Sequence, residues 1–168
     1  MVVPDADEAS NTDATTGWWV RTYLVVPLVA SGAAVGLARI DPTRLSPGPA
    51  RYAGVVAIAA GLGIAIWTVF TYSRAGETLS PVVQPDRLVT AGPLAWTRNP
   101  LYIGVVTTIA GVAVVAGSPA AAGYAGLLGV AYHAIVVGIE EPKLEAAFGD
   151  TYRSYCDQVP RWLPRRPD

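Results

Sequence analysis

A small set of ionisable side chains stands at the two ends of one long uncharged segment. Arg98 comes directly before it and the paired acids Glu140 and Glu141 follow it, while residues 99–139 contain no Asp, Glu, Lys or Arg. Ionisable groups at a membrane edge are costly unless they are paired or functional. If the segment is a hydrophobic hairpin, the guanidinium and the carboxylates meet at its open end, which predicts a pocket for a charged ligand.

The single histidine, His133, is the other titratable candidate. A spacing of seven predicts that His133 and Glu140 share one face of a helix. His133 is then either a packed, hydrogen-bonded side chain or a polar group in a substrate pocket. One histidine and one cysteine, Cys156, cannot build a histidine- or cysteine-based metal centre, so we predict no metal and interpret Cys156 as a bystander thiol.

Composition predicts an integral membrane protein. Of the 168 residues, 52% are apolar and 15% are charged, and the mean hydropathy is +0.37. Soluble domains carry about 25% charged residues, so much of this surface faces lipid. The net charge of −1 gives no indication of a nucleic-acid partner.

The elements that must position these groups are membrane helices. A span needs about 20 mainly apolar residues, and Gly117, Ser118 and Pro119 divide the long uncharged segment in two. We predict an all-α membrane protein of about four transmembrane helices plus a C-terminal amphipathic interfacial helix. The predicted parts are a disordered acidic tail over 1–17 and one domain over 18–168, with spans over about 19–38, 51–73, 101–116 and 120–139 and a cytosolic helix over about 140–157.

The last predicted helix differs from the spans. Its apolar residues recur at spacings of three and four, which is typical of an amphipathic helix: Leu144, Ala147, Phe148, Tyr152 and Tyr155. Gly149 interrupts the pattern. Beyond it, Trp162 and Arg161, with further arginines, are typical of a segment at an anionic headgroup layer.

Lysine and arginine counts give the predicted orientation. With four spans, eight of these residues lie on the side of both termini, whereas three lie on the other side: Arg39, Arg44 and Arg51. Both termini are therefore expected in the cytoplasm. Glycines within the spans, among them Gly32, Gly36 and Gly61, indicate close helix packing, or else room for a flat ligand.

Two spaced motifs give the chain a specific resemblance. The first is Leu88-Val89-Thr90-x-Gly92-x-x-Ala95-Trp96-x-Arg98-Asn99-Pro100-x-Tyr102-x-Gly104, and the second is Glu140-Glu141-x-x-Leu144-x-x-x-Phe148-Gly149-x-x-Tyr152-x-x-Tyr155. With these motifs around a hydrophobic hairpin, residues 70–164 resemble the isoprenylcysteine carboxyl methyltransferase family. That wider group includes phospholipid N-methyltransferases and bacterial integral membrane methyltransferases, so a bacterial inner membrane is the expected location.

The resemblance implies methyl transfer from S-adenosylmethionine, at the cytosolic membrane face, to a small apolar or lipid-like acceptor. The implied cofactor contacts are Gln84, Leu88, Val89, Leu94, Arg98, Asn99, Pro100, Leu101, Tyr102, Glu140 and Glu141. Leu94 replaces a tyrosine of many members and contributes only packing. Arg98 either pairs with the cofactor carboxylate or holds the loop against the acids. Arg98 and His133 are the candidates for a catalytic role.

Several alternatives stay open. Trp96 and Tyr102 belong either near the sulfonium, because an aromatic face attracts a cation, or in an interfacial aromatic belt. Residues 135–137 lack the arginine that prenylcysteine enzymes use for their carboxyl substrate, which argues against a prenylcysteine acceptor. A sterol-reductase-like, NADPH-dependent oxidoreductase and a non-catalytic membrane scaffold are the other functional hypotheses.

Overall fold

The computed structural model describes residues 27–76 and 87–164, and these residues contain helices and turns but no β-strand. The predicted all-α class is confirmed for this part of the chain. In chain order the elements are α1 (Pro27–Ile40 in the described part), α2 (Ala50–Ala75), a 3-10 turn (Gly92–Ala95), α3 (Pro100–Ala116), α4 (Pro119–Ile135), a π-helical segment (Val136–Glu140), α5 (Glu141–Phe148) and α6 (Asp150–Gln158). The predicted tail, the start of the first span and Gln84 lie outside the described residues.

Two helical stretches are long and apolar enough to cross a bilayer. They are Ala50–Ala75, with 26 residues, and Pro119–Phe148, with 30 residues, the latter running through α4, the π-helical segment and α5. Pro100–Ala116 and the described part of α1 are apolar but shorter. The four-span count therefore stays a prediction.

Antiparallel helices α2 and α3 are in backbone contact through glycines. A Cβ atom at Gly61 would lie 2.5 Å from the carbonyl oxygen of Gly104, and one at Gly54 would lie 2.8 Å from that of Gly111. Small residues allow such approaches between membrane helices. Predicted close packing is thus confirmed at Gly61, whereas a Cβ at Gly32 would meet no described atom within 4 Å.

A small core joins α1, α3 and α4. Ala30 and Ala34 of α1 pack with Ile109 of α3 and with Ala125 and Tyr132 of α4. Many larger apolar side chains of α1, α2 and α4 point outward instead, including Phe70, Leu127 and Val130 at 60–68% exposure. A helix that is apolar on all sides is typical of a membrane span, where lipid covers the outer face.

The turn between α3 and α4 confirms the predicted break of the long uncharged segment. Gly117 ends α3 with φ +62°, a backbone conformation that favours glycine. Its carbonyl oxygen accepts a hydrogen bond of 2.8 Å from the Leu45 amide in the α1–α2 loop. The backbone of this turn is therefore tied to the loop that joins the first two helices.

Asp41 completes this end of the molecule, which we call the Asp41 end (residues 41–45 and 117–120). Its carboxylate accepts hydrogen bonds from the Ser118 hydroxyl (2.6 Å), the Ala120 amide (3.0 Å), and the amide and hydroxyl of Thr43. Ser118 in turn caps α4 by accepting from the Ala121 amide. These hydrogen bonds, led by the one from Ser118, hold the pKa of Asp41 well below its ordinary value.

The C-terminal helical region differs from the prediction of one helix over about 140–157. It forms two helices, α5 and α6, because Gly149 adopts φ +53° and ψ −125° between them. The predicted apolar stripe nevertheless remains continuous across the break. Its aromatic members Tyr152 and Tyr155 form a buried cluster with Val159, against which Leu144 and Phe148 pack.

Candidate active site at the Glu141 end

The loop before α3 rests on α2 and on α6. Gly92 begins the 3-10 turn with φ +61°, and a Cβ there would lie 2.7 Å from the Thr71 hydroxyl oxygen of α2. Leu94 is buried, and its carbonyl oxygen accepts a hydrogen bond of 2.7 Å from the Tyr155 hydroxyl of α6. Trp96 is 44% exposed and packs edge-on against Trp67, with 6.1 Å between ring centroids.

Glu141 is the centre of a charge network at the open end of the α3–α4 hairpin. Its Oε1 atom lies 3.0 Å from Nη1 of Arg98, and the two side chains are 16% and 12% exposed. Arg161 donates to both carboxylate oxygens, each at 2.7 Å, in a bidentate pair. These hydrogen bonds to Glu141 raise the pKa of Arg161. The structure thus brings Arg98 and Glu141 together across the hairpin, as their positions in the sequence suggest.

Glu140 has a different partner. It accepts a hydrogen bond from the Tyr102 hydroxyl of α3, and the Tyr102 ring stacks on Tyr132 of α4 with 4.3 Å between centroids. We call the surroundings of Glu140, Glu141, Arg98, Asn99 and Tyr102 the Glu141 end. Glu140 therefore contacts α3, and Glu141 contacts the loop that precedes it.

The predicted shared face of His133 and Glu140 is wrong. Residues Val136–Glu140 are π-helical, and the Glu141 amide bonds to the carbonyl of Val136, five residues earlier. This wider turn contains one more residue than an α-helical turn. Glu140 therefore lies on the helix face of the buried Tyr132 and not on that of His133. His133 is exposed, and its Nδ1 accepts a hydrogen bond of 3.0 Å from the Trp162 indole. It thus corresponds to the hydrogen-bonded alternative.

The C-terminal strap, residues 159–164, lies across the loop that precedes α3. The Pro160 carbonyl accepts from the Arg98 amide at 2.9 Å. The Arg161 carbonyl accepts from the Thr97 hydroxyl at 3.0 Å and from Asn99 Nδ2 at 3.1 Å. The side chains of Thr97 and Asn99 are buried, so these bonds take the place of hydrogen bonds to water, which neither side chain can reach.

This strap corrects the sequence-based interpretation of the C-terminal segment. Arg161 and Trp162 were expected at an anionic headgroup layer, but Arg161 binds Glu141 and Trp162 binds His133. Sequence reasoning therefore missed Arg161 and Thr97 as parts of the site. The sequence held one indication of a further cation, because the predicted site contained two carboxylates but a single arginine.

The other predicted contacts surround this network. Asn99, Pro100 and Leu101 are buried at the start of α3. Leu88 and Val89 are half-buried, and Leu88 packs against the Tyr152–Tyr155 cluster. Leu94 is buried, as the packing role assigned to it requires. Every predicted contact within the described residues thus lies in the loop, at the start of α3 or where the π-helical segment meets α5.

Arg98 has one unsatisfied donor. Its Nη1 atom donates to the Cys156 sulfur at 2.6 Å, so Cys156 is a member of the network and more than a bystander. Its Nε atom is buried and has no hydrogen-bond partner among residues 27–76 and 87–164. A buried donor without a partner is costly and is available to an acceptor atom of a ligand. The described residues contain no group of three His, Cys, Asp or Glu that could hold a metal ion.

Comparison with known proteins agrees with this architecture. Residues 50–151, which span α2 to the start of α6, match the model of the family described as phospholipid methyltransferase. Comparisons with curated proteins and with solved structures gave no significant match. The matched part contains Arg98, Tyr102 and both acids, together with the two helices that can cross a bilayer. The chain is therefore a membrane protein that belongs to the phospholipid methyltransferase family.

Proposed function

We propose that the chain is an S-adenosylmethionine-dependent methyltransferase that binds its cofactor at the Glu141 end. The observation that carries the proposal is the 3.0 Å pair of Arg98 and Glu141 across the hairpin, in a chain of a methyltransferase family. Asn99 stands beside this pair, and Tyr102 bonds to the neighbouring acid. Three residues of the first motif and two of the second thus meet in one place.

The charges of these residues suit the amino-acid part of the cofactor, which carries a carboxylate and an ammonium group. Arg98 is the donor for the carboxylate, and its Nε atom has no partner among the described residues. If Arg98 turns towards a ligand, Glu141 keeps its bidentate pair with Arg161. The network can therefore give up one contact without leaving a buried carboxylate unpaired.

The remaining proposed contacts involve the sulfonium of the cofactor and the two acids of the protein. The Tyr102 ring, held by stacking on Tyr132 and by its bond to Glu140, presents an aromatic surface that attracts a cation. Glu140 and Glu141 are acceptors for ammonium or ribose hydroxyl protons. When bound, S-adenosylmethionine supplies a methyl group on a good leaving group, so the protein's task is to orient the acceptor and to exclude water.

We assign no general base, because a carboxylate or thiolate acceptor needs none. An amine or hydroxyl acceptor must lose a proton, and His133 is the candidate for taking it. Its Nδ1 lone pair accepts the Trp162 hydrogen bond, so in the neutral imidazole Nε2 carries the proton. His133 would therefore act as the base through Nδ1, after release of the Trp162 bond. We propose an apolar or lipid-like acceptor that enters from the bilayer, with both termini and the reaction on the cytoplasmic side.

Ligand-dependent thermal stability of the purified protein tests the cofactor assignment. S-adenosylhomocysteine should raise the melting temperature and NADPH should not, because a ligand stabilises only the state that it binds. A shift with NADPH alone would support the reductase alternative. No shift with either would favour a scaffold and contradict the proposal.

A pair of arginine variants locates the site. Arg98→Gln should weaken S-adenosylhomocysteine binding by about 10- to 100-fold, the usual loss for a hydrogen bond to a charged group. Arg153→Gln is the matched control, because Arg153 pairs with Glu145 and Asp150 at an exposed surface. Equal binding by wild type and Arg98→Gln would show that the cofactor lies elsewhere.

The acceptor is tested separately. Protein in vesicles is incubated with S-adenosylmethionine carrying a labelled methyl group and a membrane lipid extract. Label is expected in the lipid fraction and should be absent with Arg98→Gln. Label found only in water-soluble products would contradict entry of the acceptor from the bilayer.

A further inference from the structure

A second feature of different character lies beside the Asp41 end, on the opposite side of the molecule from Glu141. It is a groove of about 250 Å³ between α1, α2 and α3. Its wall is apolar, formed by Val35, Ile58, Val112 and Val115, and two arginines, Arg39 and Arg44, line it as well. Along α3, Val112 and Ala116 of the groove lie 10 and 14 residues from Tyr102 of the Glu141 end, which at about 1.5 Å per residue gives a separation of roughly 15–20 Å.

The groove follows from how the helices pack. Ala30 and Ala34 hold α1 against α3 and α4, while the glycine contacts at Gly54 and Gly111 hold α2 against α3. Helix α1 is therefore drawn towards α4, and α2 packs on the other flank of α3. A strip of α3 that includes Val112 is left between them.

The two arginines carry charge that no described carboxylate neutralises. Asp41 is the single acid within residues 27–76, and its oxygens are taken by Ser118, Thr43 and Ala120. Arg44 donates through Nε to the Ala38 carbonyl, which holds its guanidinium at the groove. Arg39 is exposed and forms no ion pair with any residue of the described ranges.

We propose that this groove binds one anionic phospholipid, with its phosphate between Arg39 and Arg44 and part of an acyl chain along the apolar wall. Two arginines at the end of membrane helices attract anionic headgroups, and guanidinium groups match phosphate oxygens. The groove is smaller than the roughly 300–1,000 Å³ of a pocket that encloses a whole drug-sized ligand. It therefore holds part of a chain while the rest stays in the bilayer.

The test uses the full chain in a non-ionic detergent without added lipid. Phosphatidylglycerol should raise its melting temperature, whereas phosphatidylcholine with the same acyl chains, and inorganic phosphate, should not. A shift with inorganic phosphate alone would mean that the arginines bind an anion without a chain. Equal shifts with both lipids would mean that the groove does not select an anionic headgroup. Either result would overturn the proposal.

Variants assign the effect to the groove. Each arginine near an anionic surface contributes about fivefold in affinity, so Arg39→Gln should weaken phosphatidylglycerol binding about fivefold and Arg39→Gln with Arg44→Gln about 25-fold. Arg51→Gln is the matched control, because Arg51 lies at the same end but donates to Tyr52 and does not line the groove.

If the double variant fails to fold, the single variant Arg39→Gln still gives a result. It should fold, because Arg39 makes no ion pair within the described chain. Native mass spectrometry provides the second measurement. We expect one retained phosphatidylglycerol per chain in wild type and in Arg51→Gln, and less than one in Arg39→Gln. Unchanged retention in Arg39→Gln would overturn the proposal. S-adenosylhomocysteine binding should be the same in all of these proteins, so failure here is distinguishable from failure of the proposed function.

Discussion

The two ends of the helical bundle use polar side chains in contrasting ways. At the Asp41 end, one carboxylate accepts four hydrogen bonds from Ser118, Thr43 and Ala120. At the Glu141 end, long charged side chains from three separate segments converge, and one buried donor of Arg98 has no partner among the described residues.

This difference separates a structural joint from a binding site. The short side chains around Asp41 lose little conformational freedom when they are fixed, and the oxygens of Asp41 are already bonded to hydroxyl and amide donors. Long arginines cost more side-chain entropy to fix and leave donors that can be redirected. The cluster around Asp41 is therefore matched, whereas the cluster around Glu141 has one donor to spare.

The largest effect is expected from Glu141→Gln. It leaves Arg98 and Arg161 without their shared carboxylate, and removing one partner of a buried pair costs about 3 kcal/mol. We expect that loss in the free energy of unfolding, together with loss of S-adenosylhomocysteine binding. Chemical denaturation and ligand titration measure both.

Glu145→Gln is the control for this change, because Glu145 pairs with Arg153 at a side-chain exposure of 49% and 63%. Such surface pairs contribute at most about 1 kcal/mol. If the free energy of unfolding were no lower for Glu141→Gln than for Glu145→Gln, the charge network would not be what stabilises the Glu141 end.

Gly117→Ala probes the backbone of the Asp41 end. A Cβ there would lie 1.9 Å from the Leu45 carbonyl oxygen, and the residue has φ +62°, so we expect a loss of about 2 kcal/mol from strain and overpacking. Gly76→Ala has a similar φ, but a Cβ there would meet no atom of the described residues within 4 Å, and it should cost about 1 kcal/mol. Cofactor affinity should be unchanged in both, and a loss in Gly117→Ala would show that the two ends are coupled.

Ser118→Ala removes the N-cap of α4. Loss of such a cap costs about 1 kcal/mol of stability, here with a hydrogen bond to Asp41 lost as well. Differential scanning calorimetry should show a lower melting temperature at unchanged ligand affinity. Thr43→Ala, which removes one donor to the same carboxylate but no cap, should have a smaller effect.

Acid should weaken the Asp41 end through Asp41 itself. Because its folded-state pKa lies below the ordinary value, Asp41 stabilises the fold above its unfolded pKa of about 4, and this contribution is lost as the pH falls below that value. Asp41→Asn should therefore be less stable than wild type at neutral pH, with the difference narrowing as pH falls from about 5 to 2. A constant difference over that range would contradict the assignment.

Much of this molecule could be predicted from local patterns. The break at Gly117–Pro119 could be predicted because glycine and proline act on the backbone wherever they stand, and Gly117 indeed ends α3 with positive φ. The meeting of Arg98 with Glu141 could be predicted because a hairpin brings its two ends together. The family was indicated by motifs on both sides of that hairpin, and the match over residues 50–151 confirms it.

Other features required three-dimensional packing. A π-helical turn lies between His133 and Glu140, and Glu140 bonds to Tyr102 of α3, so a count of residues on an ideal α-helix gave the wrong face. The C-terminal strap was assigned to the headgroups because arginine and tryptophan are typical of that layer. Its true partners, Glu141 and His133, lie 20 and 29 residues earlier in the chain.

By itself the sequence determined the helical class, the hairpin, the membrane setting and the chemical nature of the site, because each depends on residue type and short spacing. Only the tertiary structure decided which acid pairs with which base, which glycines bring helices into contact, and where a groove opens between them. The physical reason is that charge pairing and helix contact depend on distances between residues far apart in the chain, and those distances exist only once the helices have packed.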